Sequence, residues 1–238
     1  MLELNHLRQC SRPVVFETGI PGAPYSIAGT AFLVAFHRTL FVITARHVVH
    51  DHPVNRLRIF PSDRSIEGLR LSDWWHIEDP KNDPDSSDIL LIRADLTNVP
   101  KSIRKSNHLL HLTHPSVSEW FDDRYISRFF LFGYPSATNE ADYAHSKLKL
   151  QQFFLPGRYV GPSIAHNCHE LLIENPLNLN DFNGLSGSPV FCLRNEIAIS
   201  RQPTFCGMAI RGTASSQRAH FIEASTILLA LQEAIEAQ

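Results

Sequence analysis

Ser186 sits in the run Asn183-Gly184-Leu185-Ser186-Gly187-Ser188-Pro189-Val190, whose residue types could serve nucleophilic chemistry. Glycines flank the serine on both sides, and the apolar Val190, Phe191 and Leu193 follow. Glycine permits positive φ and close backbone approach, so the run reads as a sharp turn feeding a strand. Such a turn can hold a hydroxyl proud of the backbone and aim successive N–H groups into one small space, where an oxyanion would be stabilised. By itself a Gly/Ser run is an ordinary loop. A chemical role requires a base and a group to orient that base.

Serine is a poor nucleophile at neutral pH and needs a base within hydrogen-bond reach, itself held by a buried carboxylate. His47 ends the apolar run Leu40-Phe41-Val42-Ile43-Thr44, where a side chain is placed with little freedom. Asp88 stands directly before Ile89-Leu90-Leu91-Ile92, so its carboxylate is expected at a strand mouth. Asp83 and Asp85 compete for the orienting role but lie within a polar loop. A metal site at His47, His50, Asp51 and His52 is a further reading, but the spacing does not match helical His-Glu-x-x-His ligation and no metal is expected. Cys192 and Cys206 lack a supporting histidine motif and read as buried thiols.

These groups must be positioned by β structure. Gly29 to Phe36 and Leu40 to Thr44 form a hairpin pattern around His37-Arg38, rich in aromatic and β-branched residues. A short helical turn is expected after Thr44, ending by Pro53. Further strands are expected at 14–16, 57–60, 69–71, 88–92, 128–133, 147–155, 170–174, 190–193, 197–199, 205–210 and 220–222. Residues 96–127 read as a connector. Its Lys101, Arg104 and Lys105 form a solvated patch too small for a nucleic-acid footprint, and Trp120 and Phe121 could tuck it onto the body. Ser225 to Ile235 is helical, with Ile227, Leu228, Leu231 and Ile235 on one face and Ser225 as N-cap. The pattern as a whole implies two barrels or sandwiches: residues 1–95 carrying His47 and Asp88, and residues 128–238 carrying Ser186.

The 238 residues are 43% hydrophobic and 19% charged, with a formal charge of −2, which gives no electrostatic case for nucleic acid or an anionic membrane as partner. No apolar run approaches the roughly 20 residues of a membrane helix. Met1 to Cys10 has neither the basic nor the apolar region of a signal peptide, and the four cysteines are expected as thiols, so a cytoplasmic location is expected.

Three segments resemble the chymotrypsin-like (trypsin-fold) serine peptidases. Thr44-Ala45-Arg46-His47-Val48 is similar to that family's Thr-Ala-x-His segment, and Asp88-Ile89-Leu90-Leu91 to its Asp-Ile-Ala-Leu. Gly184-Leu185-Ser186-Gly187-Ser188-Pro189-Val190 is similar to its Gly-Asp-Ser-Gly-Gly-Pro-Val, and the order His, Asp, Ser is the family's order. The resemblance implies an all-β fold of two six-stranded antiparallel barrels with a C-terminal helix. It implies Ser186 as nucleophile, His47 as general base and then acid, Asp88 as orienting acid, and the N–H groups of Gly184 and Ser186 as oxyanion hole. It places Asn180 near the floor of the pocket for the substrate side chain preceding the scissile bond. It places Ile210, Arg211 and Gly212 along that pocket and against the substrate backbone, and His220 at the pocket wall, with help from Thr213 for an acidic or amide side chain.

The implied activity is peptide-bond hydrolysis on a protein or peptide bound as an added strand, without a cofactor. An esterase, or a trypsin-fold binding domain without activity, uses the same residues. Leu185 stands where many members carry the aspartate that pairs with a newly cut N-terminus, so activation by clipping is not expected.

Overall fold

The computed structural model describes residues 2–49, 52–62, 65, 67–78, 83–95, 99, 109–112, 120–142, 147–176, 179–193 and 203–237. His50, Asp51, Lys101, Arg104, Lys105 and the expected strand at 197–199 lie outside them.

The chain is mostly β. Its first half forms a seven-stranded sheet built on β1 (Ser11–Ile20), β2 (Ala23–Phe36) and β3 (Thr39–Thr44). These are joined by β4 (Leu57–Arg58), β5 (Leu71–His76), β6 (Leu90–Ala94) and β7 (Leu110–His111). The order is β4-β1-β2-β3-β6-β5, with β7 pairing parallel to β2. Among the described residues this sheet is open, whereas two closed barrels were expected. Closure needs a long seam between the end strands, and β4 contributes only Val15↔Arg58 and Phe16↔Leu57 to its ladder. The β2–β3 hairpin turns through His37 (φ 45°) and Arg38 (φ 65°), the left-handed pair that a two-residue hairpin needs.

The second half closes. Six strands, β8 (Arg128–Gly133), β11 (Phe153–Pro162), β12 (Cys168–Ile173), β13 (Pro189–Leu193), β14 (Thr204–Thr213) and β15 (Arg218–Glu223), form a barrel in the order β11-β12-β15-β14-β13-β8. The expected strand over 147–155 is split into β10 (Lys147–Lys149), which pairs with β9 (Glu140–Asp142), and the start of β11. Trp120 is 2% exposed and packs edge-on against Phe129, Tyr159 and His169, which fastens the connector to this barrel.

Among the described residues the α-helical segments are α1 (Leu2–Cys10), α2 (Arg46–Val49) and α3 (Ala224–Glu236). α1 was not expected. Its Leu4 and Leu7 pack on the core at helical spacing, with polar residues between them. α3 buries Ile227, Leu228 and Leu231 on one stripe, together with Ala224, Ala230 and Ala234. Its N-cap is Glu223 rather than Ser225, whose hydroxyl instead donates to the Glu223 carboxylate. The helix joins a core shared by the open sheet and residues of β14 and β15. A second apolar cluster fills the closed barrel. No helix among the described residues is long and apolar enough to cross a membrane.

Candidate active site

His47 and Asp88 are brought together by the pairing of β3 with β6. Thr44, the last residue of β3, lies opposite Leu90, the first of β6. His47 therefore follows one strand end and Asp88 precedes the other. Val48 and Val49 are buried and anchor the single turn of α2, which leaves His47 half exposed at its start. The Asp88 carboxylate is buried and accepts twice from His47, from the backbone N–H at 2.9 Å and from Nδ1 at 2.6 Å. The Arg46 N–H donates to the Asp88 carbonyl at 3.3 Å. These contacts leave Nδ1 as the protonated nitrogen and Nε2 as the basic one. The hydrogen bond that the ring donates to Asp88 raises the His47 pKa above its ordinary value against an opposing desolvation effect, and the charges of Asp88 and Asp85 add to it.

Ser186 comes from the closed barrel. The turn that carries it uses positive φ at Gly184 (86°) and Gly187 (87°). A Cβ at either glycine would drive into neighbouring backbone, at Tyr134 O and Thr30 O respectively. Thr30 of β2 locks the turn to the open sheet. Its N–H donates to the Ser186 carbonyl (3.0 Å), its hydroxyl donates to the Gly184 carbonyl (2.7 Å), and the same hydroxyl accepts from the Tyr134 N–H (2.9 Å). The N–H groups of Gly184 and Ser186 donate to no acceptor among the described residues, which suits them to receive an anionic oxygen. Leu185 is 4% exposed and lies in the apolar cluster of the barrel, so hydrophobic burial pins the turn where an ion pair could have done so.

His47, Ser186, Gly184, Ile210, Arg211 and Gly212 all line one open cavity of about 430 Å³, a size ordinary for a ligand site. Ser186 Oγ donates to the Ile210 carbonyl at 2.8 Å. No hydrogen bond joins it to His47 among the described residues; both side chains line the same cavity. Behind Ser186 lies a recess of about 10 Å³, smaller than a water molecule needs, lined by Leu131, Ile173, Phe182, Leu185, Ala209 and Ala219 among others. Phe182 closes it. Its ring lies so near Gly212 that a Cβ there would come within 2.8 Å of Phe182 Cδ2.

Asn180 is exposed and lines neither the cavity nor the recess. His220 does not line them either. Its Nδ1 lies 3.2 Å from Ser163 Oγ and 3.9 Å from Glu170, and burial followed by the Arg211 charge lowers its pKa. Thr213 is engaged with the Ser216 hydroxyl at 2.6 Å. Thr30 and Phe182 were not singled out for roles at the site by sequence, and Asp85, weighed there as an orienting acid, instead pairs with Arg211. They act through contacts with residues far away along the chain, which no local spacing encodes.

Among the described residues, no three His, Cys, Asp or Glu side chains are placed to hold a metal ion. The cysteines are free and buried, and burial pushes the thiols of Cys10 and Cys168 up to about 12. Ser188 Oγ is fully buried with no hydrogen-bond partner among the described residues. Ser188→Ala is therefore expected to raise unfolding stability by roughly 1 kcal/mol in urea titration, by removing an unsatisfied hydroxyl.

The chain matches no protein-family model, and no curated protein matches it.

Proposed function

We propose that the protein is a serine hydrolase of the chymotrypsin-like kind, cleaving peptide bonds through Ser186, His47 and Asp88. The observation that carries this reading is the meeting of an Asp88-held imidazole with Ser186 on one cavity, from opposite halves of the chain. In this reading the open sheet corresponds to the family's first barrel. Ser186 Oγ turns from the Ile210 carbonyl to His47 Nε2, which removes its proton as the oxygen attacks the scissile carbonyl. The N–H groups of Gly184 and Ser186 hold the resulting oxyanion. His47 then delivers the proton to the leaving amine, and water, activated by the same imidazole, releases the acyl group. Ester substrates would follow the same path.

The recess behind Ser186 indicates the side chain accepted before the scissile bond. Phe182, Leu185 and Ile173 nearly fill it, so the site as it stands favours glycine or a residue with a minimal side chain. Phe182→Val is expected to shift peptide-library cleavage toward larger apolar residues there, by about tenfold in relative kcat/KM. An unchanged profile would remove Phe182 as the gate.

A second reading, a trypsin-fold binding domain without activity, draws on the Ser186 hydrogen bond to Ile210. Reaction of the purified chain with a fluorophosphonate probe separates the two. Covalent labelling supports the hydrolase, and a folded chain that stays unlabelled supports the binding domain.

A further inference from the structure

The loop that delivers Asp88 is tied to the opposite barrel at two points. Within the loop, the Asp83 carboxylate accepts from the Asp85 N–H at 3.0 Å, and the Asp83 carbonyl accepts from the hydroxyls of Ser86 (3.1 Å) and Ser87 (3.2 Å). The Asp88 N–H donates to the Asp85 carbonyl at 3.4 Å. Across the interface, the other Asp83 oxygen accepts from the His166 N–H at 3.3 Å, and Arg211 Nη2 meets Asp85 Oδ2 at 2.5 Å. Arg211 lies on β14 beyond Ala209, the last residue of β14 to bond with the strand-entry segment 187–189, and so borders the cavity.

We propose that Arg211 is a positioning residue: by pairing with Asp85 it clamps the loop carrying Asp88 against the barrel carrying Ser186, and it neutralises a second carboxylate beside His47. The proposal rests on the hydrolase reading. Nothing in the resemblance calls for an arginine or an ion pair at this place. Among the described residues, the charged and titratable groups around His47 are Asp88 and Asp85 on the loop, Arg211 on β14, His52 lining the same cavity, and the adjacent, exposed Arg46. The Asp85 charge acts on the imidazole, and in this proposal the Arg211 guanidinium paired with it offsets part of that charge.

This arrangement has a signature that a merely structural contact lacks. Arg211→Gln leaves Asp85 uncompensated, favours the imidazolium and moves the His47 titration up. Asp85→Asn leaves Arg211 uncompensated and moves it down. Each shift is expected at about half a pH unit for partly screened charges. The double variant should titrate between the two single variants, and Arg211→Lys should preserve the wild-type value. Two readouts on the full chain test this: the NMR titration of the His47 ring, which needs no activity, and the fluorophosphonate labelling rate against pH. Labelling of Arg211→Gln at pH 6.5 should fall about threefold more than at pH 9, because only the lower pH senses the titration. Shifts of the same sign in both single variants, or no shift, overturn the proposal. A wild type that is never labelled overturns the hydrolase reading instead, and the NMR shifts then decide the clamp by themselves.

Discussion

Ser186→Ala is expected to lose all fluorophosphonate labelling and to lower peptide hydrolysis on the order of 10⁶-fold, while the chain stays folded. The effect is large because the triad works as a unit. Without the hydroxyl, His47 has no nucleophile to activate, and the Gly184 and Ser186 N–H groups retain only the residual catalysis of an oxyanion site. The fold is spared because the substitution removes one partly buried hydrogen bond, to the Ile210 carbonyl, whose net worth is about 1 kcal/mol. The Thr30 contacts that lock the turn use the backbone of Ser186 and Gly184, which alanine keeps. Ser188→Ala is the matched control two residues away. It should label like the wild type, since its hydroxyl is enclosed beside Gly133 and lines neither the cavity nor the recess. Retained labelling in Ser186→Ala would place the reactive group elsewhere and end the proposal.

What the sequence discloses about this site depends on how local its causes are. The strands that deliver His47 and Asp88 are continuous apolar runs, and their pairing follows from burial of β3 on both faces. The Ser186 turn is legible because two positive-φ positions demanded glycine. The pocket is not legible in the same way. Asn180 was placed at its floor by counting back from Ser186, yet the segment 179–182 folds so that Leu179 and Phe182 are buried and Asn180 faces solvent. Apolar burial decided that loop by turning Leu179 and Phe182 inward. The Arg211 pair with Asp85 was likewise hidden, since two charged residues on different halves of the chain carry no mutual signature until the halves meet. An open rather than closed first sheet depends on how far its end strands extend, which apolar runs define poorly.

Asp88→Asn tests how far the chemistry depends on one tautomer. Asparagine has nearly the shape of aspartate but offers one acceptor oxygen and one amino group. In this chain the side chain at position 88 has two fixed partners: the backbone N–H of His47 at 2.9 Å and the ring Nδ1 at 2.6 Å. The backbone N–H can only donate, so it captures the amide oxygen. The amino group is then left facing Nδ1, which must become an acceptor, and the proton moves to Nε2. A protonated Nε2 cannot take the Ser186 proton, so the variant should label and hydrolyse about 10⁴-fold more slowly with little change in stability. The loss should exceed what charge removal alone would produce. Losing the carboxylate also lowers the His47 pKa, because the hydrogen bond the ring donates to Asp88 is the largest effect raising it. The acid limb of the rate profile should therefore move to lower pH even as the plateau collapses. At strongly alkaline pH hydroxide can substitute for the disabled base, and the deficit should narrow there. A variant with nearly full activity at neutral pH would show that Asp88 does not set the tautomer, and the His47 contact to Asp88 would then be structural only.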